Sequence, residues 1–236
     1  MATLTRRDQR VVALVNAFGQ LTSKHVRALV FADNASMTPC NERLKKLAQM
    51  KMLSRVERRL VGGDGGGSGL YAYQLGPAGW KLCGREGKYW GRKSIDHHAL
   101  AIADVFVMLK EAETAGQLVV AGVLTEPDCW ETVGGESLKP DMLIEVELPA
   151  LGKRRLVWLE VDLGTERQRH ITEKLDRYVR AYKRASHDFT FPQVVFVTPD
   201  SLRADALRWL MGRRAGDYEA LFRVVDNSEF MGLFVV

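Results

Sequence analysis

Asp141, Glu160 and Asp162 are the residues of this 236-residue chain whose types and spacing point most directly to chemistry. They lie in the stretch KPDMLIEVELPALGKRRLVWLEVDL, where two apolar runs flank Leu151 and Gly152 and read as an antiparallel hairpin. Side chains alternate along a strand, so Glu160 and Asp162 share a face, and turning the hairpin brings Asp141 opposite them. Three carboxylates converging on a buried sheet repel one another and lose their hydration unless a cation neutralises them. Hard oxygen donors of this kind suit Mg²⁺ or Mn²⁺, which makes the three residues a candidate metal site.

A helix is expected directly after the acidic strand, over TERQRHITEKLDRYVRAYKRA. Thr165 and Gln168 have the spacing of a capping box at its start. Ile171, Leu175, Tyr178 and Tyr182 follow the apolar stripe, and Lys174 lies one step from it. Lys174 and Tyr178 are four residues apart and share a side of the helix, so both can face the carboxylates. From the residues alone, Lys174 reads as a counter-charge to the acidic cluster.

The elements that must position this site divide by charge. Residues 1–95 hold 17 Lys/Arg against 6 Asp/Glu, whereas residues 96–236 hold 17 against 23. A basic first part joined to an acidic second part suggests a nucleic-acid reader attached to another module. TRRDQRVVALVNAFG, LTSKHVRALVFA and PCNERLKKLAQMKML read as three short helices. SRVERRLV and LYAYQLG then read as strands on either side of the hairpin tip GGDGGGSG. Three helices followed by a β-hairpin is the order of a winged helix-turn-helix, in which the third helix enters the major groove and the wing touches phosphates. On that reading Asn41, Arg43, Lys45, Lys46 and Lys51 of the third helix and Arg55, Arg58 and Arg59 of the wing face double-stranded DNA. The expected domains are residues 1–83, a linker over 84–95 containing Tyr89 and Trp90, and residues 96–236.

The second part alternates a long apolar helix, strand candidates QLVVAGVLTE, DMLIEVEL, RLVWLEVDL and PQVVFVTPD, and a further helix SLRADALRWLMGRRA. FRVVD and GLFVV read as short closing strands, so the expected architecture is an α/β sandwich around a mixed sheet. Three scattered cysteines and the lack of a long apolar run point to a cytoplasmic protein without a disulfide framework or membrane span. The sequence carries no G-x-S-x-G elbow, P-loop or H-E-x-x-H motif. His97 and His98 are adjacent on a helix and point about 100° apart, which suits capping better than chelation.

The winged-helix order with YQLGPAGWKL, followed by KPDMLIEV, WLEVDLGTE and EKLDRY, resembles the replication-relaxation family of actinobacterial plasmids, phages and mobile elements. Its second half is similar to PD-(D/E)XK nucleases. The resemblance implies that Pro140-Asp141 and Glu160 hold Mg²⁺ or Mn²⁺ and that a water attacks a phosphodiester. It also implies an acidic partner on or near the preceding helix, for which Glu111, Glu113 and Glu126 are open choices. Asp162 stands where the superfamily places a lysine that activates the water, and Lys174-x-x-x-Tyr178 resembles the Gln-x-x-x-Tyr element of several nuclease lineages. The resemblance thus gives Lys174 a second reading, as the group that polarises the attacking water in that lysine's place. Two functions follow as expectations: a metal-dependent DNA endonuclease or nickase in plasmid or phage replication or transfer, and a catalytically inactive DNA-binding factor that keeps the nuclease fold. A homodimer and other replication or transfer proteins are the further expected partners.

Overall fold

A computed structural model describes residues 4–56 and 71–234 of the chain. The chain forms two compact units, Met1–Val107 and Met108–Val236. No helix among the described residues is long and apolar enough to cross a membrane.

The first unit begins with α1 (Arg6–Phe18), which Thr5 and Asp8 cap reciprocally. Val11, Val12, Val15 and Phe18 form its buried stripe, and Gly19 ends it with φ of 75°. β1 (Leu21–Thr22) leads into α2 (Ser23–Val30), where Thr22 and His25 form a second reciprocal cap. α3 (Thr38–Gln49) follows, then β2 (Leu53–Val56), β3 (Ala72–Leu75) and α4 (Pro77–Leu82). The three strands make an antiparallel sheet in the order β1-β3-β2.

The periodic pattern overruns the end of α3. Lys51 adopts a left-handed backbone with φ of 58°, which turns the chain so that Leu53 packs from a strand instead of a fourth helical turn. This turn explains the glycines of YQLGPAGWKL. A Cβ on Gly76 would collide with the carbonyl of Lys51, and one on Gly79 with the carbonyl of Met52. Both positions have backbone against backbone, where nothing but hydrogen fits.

Residues 84–95 belong to the first unit and are fastened to its sheet and helices. Tyr89 donates to the carbonyl of Leu75 at 3.1 Å. The buried amide of Gln74 bonds both the carbonyl and the N–H of Arg92, at 2.9 and 3.1 Å. Buried Gln20 does the same with the Ser94 carbonyl and the Asp96 N–H, at 3.1 and 2.9 Å. Trp90 remains 71 % exposed. α5 (His97–Thr114) follows.

The second unit is built on β4 (Val119–Thr125), β7 (Met142–Leu148), β8 (Lys153–Val161), β9 (Gln193–Thr198) and β10 (Phe222–Asp226). Between β4 and β7 stands a small hairpin that the sequence pattern does not announce, β5 (Glu131–Val133) with β6 (Glu136–Leu138). The large sheet has the order β10-β9-β8-β7-β4. β4, β7 and β8 pair antiparallel, whereas β8, β9 and β10 run parallel, so the sheet is mixed as expected. α6 (Gln168–Arg184) and α7 (Ser201–Ala215) supply Ile171, Leu175, Tyr178, Leu207 and Met211 to a core with Trp158, Val194, Phe196 and Phe222.

Two expectations are corrected. α6 starts at Gln168 with Arg167 at its cap position and no side-chain cap bond, so Thr165 and Gln168 form no capping box. Phe230–Leu233 is a 3₁₀ turn instead of a closing strand, and the last two valines lie outside the described residues.

Replacing Gly79 with Ala should destabilise the first unit by about 1–3 kcal/mol through overpacking against rigid backbone. Chemical denaturation checks this, and an unchanged midpoint would show that the turn at Lys51–Met52 yields.

Candidate functional site

The hairpin turns through the 3₁₀ segment Pro149–Leu151 and Gly152, whose φ of 59° suits a residue without a Cβ. The resulting register sets Met142 against Leu159 and continues one step further, with the Asp141 N–H donating to the Leu159 carbonyl at 2.9 Å. Asp141 Oδ2 reaches across to accept from the Val161 N–H at 2.6 Å. Asp141, Glu160 and Asp162 are all buried, at 7 %, 2 % and 5 % exposure.

α6 lies over this end of the sheet and presents Lys174 and Tyr178 on one side, as their spacing requires. Lys174 Nζ donates to Glu160 Oε2 at 2.7 Å, and the Tyr178 hydroxyl donates to Oε1 at 2.6 Å. Lys174 also stands 3.6 Å from Glu166 Oε1. Asp162 turns to a different partner. Its Oδ2 accepts from Arg203 Nε and Nη2 at 3.0 and 2.7 Å, and its Oδ1 accepts from the Gly164 N–H at 2.6 Å. Arg203 also donates to the Glu166 carbonyl at 3.3 Å, which ties the β8–α6 loop to the first turn of α7. Sequence reasoning missed Arg203, which lies 41 residues from Asp162 with no local pattern linking the two.

The electrostatics follow from burial. Desolvation pushes the Glu160 carboxyl up from its ordinary 4.5 to about 7, with Lys174 opposing and Asp141 reinforcing the rise. Burial works against the Lys174 ammonium, but the charge and hydrogen bond of Glu160 outweigh it and hold the group above its ordinary range. Burial, with Glu160 beside it, puts the Tyr178 phenol well above its ordinary 10, so Tyr178 serves as a donor. Nearby, the thiol of Cys129 donates to the Pro140 carbonyl at 3.0 Å, and burial raises it to about 12, with Glu126 adding to the rise. It is a poor nucleophile.

This donor set does not fit a divalent cation as it stands. Both oxygens of Glu160 and both of Asp162 accept hydrogen bonds from protein donors, two of those donors being cations. Among the described residues, no group of three or more His, Cys, Asp or Glu side chains converges to hold a metal ion. The counter-charge that the acidic pattern demands is met by Lys174 and Arg203. Of the candidate helix carboxylates, Glu113 accepts from the Val120 N–H at 2.8 Å and pairs with Lys110. Glu126 accepts from Trp130 Nε1 at 3.4 Å, and Glu111 is exposed.

The proposed DNA-facing residues separate into two groups. Asn41, Lys45, Lys46 and Lys51 are exposed. Arg43 instead turns inward, where its guanidinium grips Asp8, a fully buried carboxylate at the start of α1. Burial disfavours the Asp8 charge, but the Arg43 and Thr5 hydrogen bonds outweigh it and hold the group below its ordinary 3.8. Arg55 stacks over the Tyr71 ring at 4.0 Å. Arg58 and Arg59 lie outside the described residues.

Between pH 4.5 and 7 the folded state holds a proton on Glu160 that the unfolded chain releases, so this group's contribution to stability falls as pH rises through that window. Lys174→Met should cost about 3–5 kcal/mol at pH 8, because it leaves a buried carboxylate without its cation. The loss should be smaller at pH 5, where Glu160 is neutral, and Lys174→Met/Glu160→Gln should recover most of it. Thermal melts across pH check this, and a deficit independent of pH would show that Lys174 acts through packing alone.

Comparison with known proteins matches residues 12–194 to the replication-relaxation family. No curated protein and no solved structure matches the chain. The match spans both units, including β3 and the β7–β8 hairpin with α6, and the chain belongs to the replication-relaxation family.

Proposed function

We propose that this protein is a double-stranded-DNA-binding factor of mobile-element replication or transfer whose second unit keeps a nuclease-like scaffold around a centre closed by its own ion pairs. The order helix, strand, helix, helix, strand, strand, with the sheet β1-β3-β2, supports a winged helix-turn-helix in the first unit. α3 is its recognition helix, presenting Asn41, Lys45 and Lys46 to solvent. The antiparallel β4-β7-β8 followed by α6 and parallel β9 supports the PD-(D/E)XK reading of the second unit. The observation that carries the non-catalytic reading is the hold of Arg203 on Asp162, both donors on Oδ2, beside the hold of Lys174 and Tyr178 on Glu160.

A second reading, a Mg²⁺- or Mn²⁺-dependent endonuclease or nickase, is favoured by one contact. Lys174 meets Glu160 beside Asp141, which is the carboxylate–carboxylate–lysine set of that chemistry with the lysine moved to α6. Supercoiled plasmid incubated with Mg²⁺ or Mn²⁺ separates the two. The proposal expects no nicked product from the parent protein; nicking that disappears in Asp141→Ala would establish the enzyme instead.

DNA affinity should fall steeply with salt, and Lys45→Ala/Lys46→Ala should weaken it for all sequences alike while lowering the salt slope by about one unit per phosphate contact removed. Titrations at several salt concentrations measure this. A flat salt response in the parent would reject α3 as the DNA-facing element.

A further inference from the structure

The face of α7 turned away from the core carries an apolar strip among its charges. Its inner side buries Ala204, Leu207, Leu210, Met211 and Ala215. Its outer side carries Leu202 at 82 % and Trp209 at 59 % exposure, seven residues apart and so on one line, with exposed Ala206 between them. A large aromatic and a leucine aligned on the solvent side of a helix leave an apolar strip there, bordered by Asp205 and Arg213. Gly212 adds to the case. It sits inside the helix, where glycine weakens the structure, yet a Cβ there would meet no atom closer than 4.0 Å. No atom among the described residues requires a glycine at that position.

We propose that this face is the contact between two copies of the chain, with their α7 helices antiparallel across a two-fold axis at Trp209. The charge pattern selects a second copy over another partner. Asp205 and Arg213 stand four residues either side of Trp209, so the antiparallel register brings Asp205 of one copy level with Arg213 of the other, twice over. Ala206 and Gly212 stand three residues either side and meet level in the same way, small against small. In the single chain, Asp205 pairs with Arg208 at 2.9 Å, and Arg213 stacks over Trp209 at 4.9 Å. Both charges therefore border the aromatic ring that the second copy covers. One helix pair buries less than the roughly 1,200–2,000 Å² of a standard stable interface, so the dimer is reversible and concentration-dependent.

Sedimentation equilibrium of the full chain over a wide concentration range tests this. The parent should show a monomer–dimer equilibrium, and Trp209→Glu should raise the dissociation constant at least about tenfold. Asp205→Arg alone sets like charges at the same level and should weaken the dimer. Asp205→Arg/Arg213→Asp exchanges the two charges and should restore it, which a merely sticky or misfolded face would not do. A parent protein that stays monomeric throughout, or a double variant no better than the single, overturns the proposal. Unchanged circular dichroism in each variant separates loss of contact from loss of fold.

Discussion

A carboxylate at 2 % exposure on the central strand of a sheet is the constraint around which the second unit is arranged. Glu160 cannot be hydrated there, and a lone buried charge is costly enough to unfold a domain of ordinary stability. Its two oxygens must each find a donor. Both donors come from α6, four residues apart, so one carboxylate fixes the rotation of that helix about its own axis. Asp162 extends the arrangement to α7 through Arg203. The apolar contacts of Ile171, Leu175 and Leu207 hold the two helices against the sheet, but such contacts tolerate sliding and rotation. The ion pairs do not, because a displaced cation leaves a buried anion behind it.

Much of this was legible in the sequence because it is local. The alternation of DMLIEVEL and RLVWLEVDL sets both strands and their shared face, and the Leu151-Gly152 turn sets their register. The four-residue spacing of Lys174 and Tyr178 puts both on Glu160 whether or not the helix has a capping box. What stayed hidden is what long-range pairing decides. Arg203 reads as an ordinary surface arginine and Arg43 as a DNA-facing one, yet each closes on a buried aspartate, 41 and 35 residues away. Gln20 and Gln74 carry no periodic signal either, although their amides fasten residues 84–95 to the rest of the first unit. A buried polar side chain is chosen by the partner that happens to meet it in the fold, and sequence spacing does not encode that meeting.

The same pairing changes what the basic surplus of the first unit can do. Arg7 pairs with Asp33, Arg43 with Asp8 and Arg92 with Asp96, while Arg85 holds Asn16 and stacks on Trp80. These are arginine roles, because a planar fork binds a carboxylate or backbone in two directions and stacks on rings. The exposed cations of α3 are lysines, compact point charges on flexible stems. Lysines of that kind grip phosphates with little regard to sequence, whereas bidentate recognition of guanine is mainly arginine chemistry. Asn41, exposed near the start of α3, and Gln49, exposed at its end, carry amides of the kind that pairs with an adenine edge. On the proposal that α3 faces DNA, a helix so equipped would bind broadly and discriminate at few positions, which suits a factor brought to its site by assembly more than one that finds it by base sequence alone.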